Sequence, residues 1–420
     1  MNFSIMPSIK GGTVIAPKSK SEAHRFLIMA ALADKMVCTE SFAFCEDVEA
    51  TASCIREIGS KIDYKNGLIK IFPNISGNPV DINCKNSAST FRFIMPVIAA
   101  LGINAKVSAD IDLRRRLNYT LYKILCEHGF LISSPNFPLY CGKKMHGGEY
   151  LIDSSMPSQD VTGLLIALPL LPENSTITVT EKAISKPYYI SLTIDMLKKF
   201  GIEIENHGTT FYIRGNQEYI SPGNLSIGGD WSLSAAWLCA GALSEKGITV
   251  QGLDVTSVQD DKKILEYIKQ FGAEITYVDE YVSIRGKERK SFNVDVSLTP
   301  DLFPVLAVLA SVAKGSSLFY NIKNLRINET NRLNTTVQML IRLGASVKIT
   351  GDSLEITGKP FLDGGAVTSS GDHRIAMAAA IAAQVCNNKV LLNGADAVKK
   401  SYPYFYRDYR KLGGEVYVHI

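Results

Sequence analysis

Six times along the chain a helical run stops at a glycine and gives way to short stretches of alternating polar and apolar residues, two in each of the first five copies and one in the last. The copies read IREIGSKIDYKNGLIKIF, LCEHGFLISSPNFPLYC, LKKFGIEIENHGTTFYIRG, IKQFGAEITYVDEYVSIRG, LIRLGASVKITGDSLEITG and YRKLGGEVYVHI. Their glycines, Gly59, Gly129, Gly201, Gly272, Gly344 and Gly413, stand 70, 72, 71, 72 and 69 residues apart. A repeat at a near-constant period constrains the fold strongly, because every copy must form the same supersecondary unit. Glycine at that point suits a left-handed helix cap, and the alternation after it is that of half-buried strands. Each copy therefore predicts an amphipathic helix followed by a hairpin. The sixth copy ends after one strand, EVYVHI, which leaves a place for the N-terminal NFSIMPSI and puts the two ends of the chain in one domain.

A second series interleaves with the first: FLIMAALA after Arg25, FIMPVIAAL after Arg92, VTGLLIALPLL after Asp160, WSLSAAWLCAGAL after Asp230, LFPVLAVLA after Asp301 and IAMAAAIAA after Arg374. Helices apolar all round belong at the centre of a domain, and amphipathic ones cover them. The fold expected is therefore α/β, with six helix-plus-hairpin repeats, three per domain, and buried helices at the centre of each domain. One domain is expected over 16–226 and the other over 1–15 with 227–420. At 420 residues, 46% hydrophobic and 20% charged, the chain has enough apolar residues for two such cores. If the six helices open at these polar residues, their N-termini would attract phosphate or carboxylate in a shared cleft. The same residues would also serve as plain caps of buried helices.

The net charge of +4 comes from interspersed signs without a basic run, which argues against nucleic-acid or membrane binding and leaves small anions. The eight cysteines are scattered, none in CxxC, and read as thiols in a reducing cytosol. MNFSIMPSIKGGTV has no basic and apolar leader pattern, and the charge-free stretches Trp231 to Ser244 and Ile375 to Asn388 are too short to span a bilayer. No zinc-ligand spacing, GxSxG elbow or GxGxxG fingerprint is present, so metal, covalent serine and nicotinamide chemistry are unsupported.

The polar clusters are APKSKSEAHR with Lys20, Ser21 and Arg25; NSASTFR with Ala88 and Arg92; RRR ending at Arg116; SSMPSQD with Ser158 and Gln159; and SKPYY with Ser185 and Tyr188. In the second half they are TPDLFP with Asp301, LRINETNRL with Asn324 just ahead of it, GDHR with Arg374, and KKSYP with Lys400. Carboxylates set among cations suit acid and base work on anionic substrates, the cations holding the anion while the carboxylates move protons. LRINETNRL also reads as a helix start, with Asn328 as N-cap and Glu329 in the first turn against the helix dipole.

Taken in order, KSEAHR, STFR, SQ, SKPYY, PD, NETNR, DHR and KKSYP resemble the motif series of the enolpyruvyl transferases over essentially the whole chain, and most closely the shikimate branch of that family. The resemblance implies a two-domain inside-out α/β barrel that closes around phosphoenolpyruvate and shikimate 3-phosphate. The implied reaction adds the shikimate 5-hydroxyl to the enolpyruvyl carbon through a tetrahedral intermediate and then expels phosphate, in the pathway to the aromatic amino acids. It implies no metal or organic cofactor, no nucleic-acid or membrane partner, and a cytoplasmic monomer. By matching position, Lys20 resembles a catalytic lysine that touches both substrates, and Ser21 and Arg25 the pair that holds the shikimate hydroxyl and carboxylate. Ser158, Gln159, Ser185 and Tyr188 resemble contacts to the shikimate phosphate and ring, with Asn324 and Asn328 as further contacts and Gln159 also facing phosphoenolpyruvate. Ala88, Arg116, Arg332, Arg374 and Lys400 fall in the phosphoenolpyruvate subsite. Asp301 resembles the general base at the 5-hydroxyl, and Glu329 a second proton-transfer carboxylate.

Three positions depart from the family pattern. Ala88 stands where glycine is common, and its methyl should narrow the phosphoenolpyruvate pocket and give tolerance to glyphosate, which occupies that subsite in the family. Pro157 replaces a common phosphate-binding serine, and Asn328 a usual lysine, so weaker substrate binding is expected. Two other readings stay open: a UDP-N-acetylglucosamine enolpyruvyl transferase, disfavoured by SKPYY and by Cys126 lying in a predicted helix, and an inactive homologue kept as a binding module, disfavoured by the retained carboxylates and cations.

Overall fold

The structure, a computed structural model, describes all residues except 118, 134–135, 154–155, 181–187, 327–329 and 420. It divides into two compact units, residues 19–227 and residues 1–18 with 228–420. The first crossing falls after Lys18 rather than after Ile15. The amide of Ala16 donates to Gln251 O and that of Asp230 to Pro17 O, both at 2.8 Å, and these bonds tie the intervening residues to the second unit.

A complete copy of the repeat runs strand Gly148–Ile152, helix Ser158–Ala167, strand Ser175–Val179, helix Tyr188–Lys199 and hairpin Ile204–His207 with Thr210–Ile213. The first two strands pair in parallel across the helix, as parallel strands require, and the hairpin adds antiparallel with its second strand innermost. The same strand order recurs in the sheets that begin with Val80–Asn83 and with Asn293–Asp295. Elsewhere remote segments complete a copy. Gly12–Ile15 lies parallel to Ile248–Gln251, and the N-terminal Asn2–Ile5 sits antiparallel between Val390–Asn393 and Val416–His419. In the first unit the edge of Val37–Glu40 is met by the segment just before the second crossing. There Cys38 N–H donates to Gly223 O, and Leu225 N–H to Cys38 O, each at 2.9 Å.

All six repeat glycines take positive φ, between 76° and 125°. At Gly344 a Cβ would also stand 2.0 Å from Asp363 Oδ2, so a side chain there would meet both the backbone strain and the need to displace that carboxylate.

Three helices form the centre of each unit: Lys20–Leu32, Ala88–Leu101 and Ser158–Ala167 in the first, Trp231–Ala242, Phe303–Ala310 and His373–Ala382 in the second. Within each unit they pack on one another, and beyond the first turn almost every residue is buried. Several begin earlier than the apolar runs suggest. Ser19 Oγ accepts from Glu22 N–H and Ser87 Oγ from Thr90 N–H, each at 3.3 Å, so Arg25 and Arg92 lie inside their helices and do not open them. Asp372 Oδ1 accepts from Arg374 N–H at 2.8 Å and caps the helix expected to start at Arg374. Asp230 is a cap, accepting from Leu233 N–H at 2.8 Å. The helix that begins within LRINETNRL spans Arg332–Arg342 and is capped by Asn331, whose Oδ1 accepts from Asn334 N–H at 3.2 Å, which corrects the assignment of the cap to Asn328. No described helix is long and apolar enough to cross a membrane.

Candidate active site

In the first unit the N-terminal turn of the Lys20–Leu32 helix brings Lys20, Ser21 and Arg25 together. Lys20 Nζ pairs with Asp47 Oδ2 at 2.8 Å, both side chains being mostly buried. Arg25 is 1% exposed. Its Nε donates to Thr193 Oγ1 at 2.9 Å, Nη1 to Ser21 O at 2.7 Å, and Nη2 to Thr162 Oγ1 and Tyr189 O, both at 3.1 Å. Every one of these acceptors is neutral. Burial pushes the guanidinium down to about 10, with the nearby Tyr189 and Tyr188 and, more weakly, Glu22 opposing the shift. Tyr188 is buried at the start of its helix, with its ring 4.1 Å from that of Tyr189.

A second cluster in the same unit forms where two inner helices touch. Gly163 allows this: a Cβ there would lie 2.1 Å from the carbonyl oxygen of Arg92. Pro96, inside the facing helix, cannot donate to that carbonyl in the i to i−4 pattern, which leaves it facing the neighbour. On the same side, Arg92 Nη1 donates to Gln159 Oε1 at 2.6 Å and Nε lies 3.1 Å from Asp160 Oδ1. Gln159 Nε2 donates to Ser89 Oγ at 2.9 Å. Ser158 is the buried first residue of its helix, preceded by Pro157, which makes no side-chain cap. Ala88 is the half-buried first residue of its own helix, where backbone N–H groups lack intrahelical partners. Arg116 Nη2 donates to the backbone and side-chain oxygens of Asn86, two residues before Ala88.

The second unit arranges its cations differently. Arg332 is fully buried and lies between two carboxylates, with Nη1 2.6 Å from Asp301 Oδ1 and Nε 3.0 Å from Asp372 Oδ2. Arg374 Nε stands 3.4 Å from the same Asp301 oxygen. Burial works to lower the pKa of Arg374, but Asp301 overcomes it, helped by Asp261 and Asp230 and opposed by Arg332, and the group ends above its ordinary value. Lys400 is buried at the end of the short helix Ala395–Lys400. The next turn is anchored by Tyr402, whose hydroxyl accepts from Trp237 Nε1 at 3.2 Å and donates to Asp408 Oδ2 at 2.9 Å. Asn324 lies exposed in the short helix Ile322–Arg326.

The structure thus groups Lys20, Ser21 and Arg25 near Tyr188; Ala88, Arg116 and Gln159 around Arg92; and Asp301, Arg332 and Arg374 in one ion-pair network. Ser185, Asn328 and Glu329 lie outside the described residues. Sequence reasoning missed the groups that hold the cations: Asp47, Thr162, Thr193 and Asp372. Asp372 stands in the GDHR motif and was visible as a capping residue ahead of a helix. The others are partners from remote segments with no local mark. Among the described residues, no group of three or more His, Cys, Asp or Glu side chains could hold a metal ion.

Residues 7–409 match the family described as EPSP synthase (3-phosphoshikimate 1-carboxyvinyltransferase). The chain is 40% identical over 418 residues to the 3-phosphoshikimate 1-carboxyvinyltransferase of Clostridium kluyveri, covering 98% of this chain and 97% of that one. It is 34% identical over 422 residues to the protein of that name from Methanocorpusculum labreanum, covering 99% of each. Among solved structures, the EPSP synthase of Acinetobacter baumannii superposes with a TM-score of 0.84 at 23% identity over 99% of this chain and all of that one, a likeness of fold. The enolpyruvyl transferase NikO of Streptomyces tendae gives 0.80 at 16% identity, over 99% of this chain and 98% of that one.

Proposed function

The chain belongs to the EPSP synthase family and transfers the enolpyruvyl group of phosphoenolpyruvate to the 5-hydroxyl of shikimate 3-phosphate, and on that premise we propose how its residues divide the work. The first unit binds shikimate 3-phosphate. Arg25, buried among neutral acceptors, takes the ring carboxylate; Ser21, Ser158, Ser185 and Tyr188 surround the hydroxyls, phosphate and ring; and Lys20 serves both substrates. Ala88, Arg116 and Gln159 contribute N–H donors to phosphoenolpyruvate. In the second unit Arg332, Arg374 and Lys400 neutralise the phosphoenolpyruvate phosphate and carboxylate, Asp301 removes the 5-hydroxyl proton, and Glu329 moves the proton at the enolpyruvyl methylene.

The observation that best supports these roles is the sharing of the Asp301 carboxylate by Arg332 and Arg374. Without substrate the two arginines hold the base; an arriving trianion competes for them and leaves the carboxylate to accept a proton from the hydroxyl. Loss of phosphate from the tetrahedral adduct then needs a proton on the leaving oxygen, and the same cations stabilise the charge that develops there. We further propose that the six copies, with helices inside and sheets outside, build an inside-out barrel in each unit, and that the enzyme works as a cytoplasmic monomer. The deciding experiment is phosphate release with both substrates. Turnover that needs both and is lost in Asp301→Asn is expected, whereas shikimate 3-phosphate binding without turnover would mark the chain as a binding module.

A further inference from the structure

Asp160 has no place in the roles above, yet its setting is unusual for a carboxylate. It is fully buried, and neither oxygen finds an aligned hydrogen bond. Its neighbour is Arg92, whose Nε lies 3.1 Å away but off the hydrogen-bond axis. A buried carboxylate held only by proximity to one cation is costly, and burial pushes Asp160 up to about 6 against the pull of Arg92. Arg92 spends its better-aligned donors elsewhere: Nη1 on Gln159 Oε1 at 2.6 Å, and Nη2 toward the carbonyl of Arg116 at 3.5 Å.

The chemistry of those contacts decides the direction of one amide. A guanidinium only donates, so the oxygen end of Gln159 must face Arg92. The nitrogen end then points the other way, with one N–H on Ser89 Oγ at 2.9 Å and the second left over. Turned around, the same side chain would set its NH2 against the guanidinium and offer a carbonyl oxygen to whatever lies opposite. An anion is attracted by the first arrangement and repelled by the second. Asp160 and Gln159 are adjacent at the start of one helix; the close helix contact at Gly163 holds the backbone of Arg92 against that helix, and the Arg92 side chain reaches back to both.

We propose that Asp160 and Arg92 form a positioning relay that fixes the polarity of the Gln159 amide, so that its N–H edge is offered to the phosphoenolpyruvate anion. Asp160 restrains the guanidinium, the guanidinium orients the amide, and the amide alone touches substrate. The relay rests on the reading of Gln159 as a phosphoenolpyruvate contact.

The test is a double-mutant cycle on the full enzyme, with kcat and the KM for phosphoenolpyruvate measured for Asp160→Asn, Gln159→Ala and the pair. Hydrogen bonds to charged groups set the scale, and Asp160→Asn is expected to raise this KM by about tenfold while kcat changes little. In the Gln159→Ala background the same substitution should then change KM by less than about twofold, because the group through which it acts is gone. Gln159→Glu, which keeps the bond to Arg92 and has no N–H to give, should lose at least as much affinity as Gln159→Ala. An unaltered KM in Asp160→Asn overturns the relay, as does an equal rise in both backgrounds, which would mean that Asp160 acts through the fold at large. An unaltered KM in Gln159→Ala is a separate result: it refutes the placing of Gln159 at phosphoenolpyruvate, and the relay with it.

Discussion

Arg25 in the first unit and Arg374 in the second are the same residue type, both close to the start of a buried inner helix, and their environments drive them in opposite directions. Arg25 hydrogen-bonds only to hydroxyls and carbonyls, with Glu22 a weak influence beyond them, and burial lowers its pKa to about 10. Arg374 sees Asp301, with Asp261 and Asp230 beyond, and its pKa is raised in spite of burial. The contrast is one of unspent versus spent charge. A cation with neutral partners keeps its attraction for an incoming carboxylate, and the fold bears the desolvation cost in the meantime. A cation already on a carboxylate exchanges one anion for another when ligand binds, and the displaced carboxylate becomes available as a base. The first environment suits recognition, and the second suits coupling of binding to proton transfer.

The largest effect should come from the shared carboxylate. Asp301→Asn is expected to lower kcat by about 10²- to 10⁴-fold, the usual worth of a positioned base. Since Asn no longer competes for Arg332 and Arg374, phosphoenolpyruvate should bind at least as tightly as before. Weaker binding by calorimetry would mean that Asp301 is not a competitor for those cations. Next in size is a pair of stability measurements. Arg332→Met leaves Asp301 and Asp372 buried without their common cation and should cost about 3–5 kcal/mol in urea denaturation. Arg25→Met leaves only hydroxyls and carbonyls and should cost about 1–3 kcal/mol. Equal losses would erase the distinction between spent and unspent charge.

A third, smaller effect carries a pH signature. The folded-state pKa of Asp160 lies at about 6, above the ordinary 3.8. For a raised group, stability is fully present below the unfolded value and is lost as pH rises through the folded one. Asn holds the neutral form at every pH. Asp160→Asn should therefore be the more stable protein at pH 7, with a ceiling of about 3 kcal/mol that is already net of the attraction of Arg92. The gap should close as pH falls from about 6 toward 4. Together with a raised KM for phosphoenolpyruvate, this would identify a charge kept at a cost in stability for the sake of binding. A mutant that is less stable at pH 7 would reverse the sign and make Asp160 a structural partner of Arg92.

How far the sequence alone reached differs between fold and site for physical reasons. The repeat was legible because a left-handed cap requires glycine and a half-buried strand requires alternation, both local demands that leave marks at Gly201 or Gly344 and in the second hairpin strands Thr210–Ile213 and Ser353–Thr357. Helix starts were misread where the first turn is polar: the apolar run begins only after Arg25, whereas the helix begins at Lys20 behind Ser19 and is already buried from Ala23. The cations of the site were legible as motifs, but the groups that set their behaviour were not. Thr193 and Arg25 are 168 residues apart, and Arg332 and Asp372 are 40 apart, so pairing is a property of the assembled repeats.

The last prediction tests which unit tells one anion from another. Ala88 opens the Ala88–Leu101 helix directly after its Ser87 cap, so its N–H is among the unpaired donors there and its half-buried methyl stands beside them. Ala88→Gly keeps the donor and removes the methyl. The cations assigned to phosphoenolpyruvate are unchanged by it, so the KM for phosphoenolpyruvate should change little. Glyphosate, bulkier at this position, should gain about 10- to 200-fold in affinity, the range one methyl commonly commands in a tight pocket. The measured quantity is the ratio of the glyphosate inhibition constant to that KM. A fall in the ratio would place discrimination between the two anions at a helix start in the first unit, with the cations of the second contributing attraction but little selectivity. An unchanged ratio would move the selectivity to the arginine and carboxylate network, and the two units would then share the task that their environments otherwise divide.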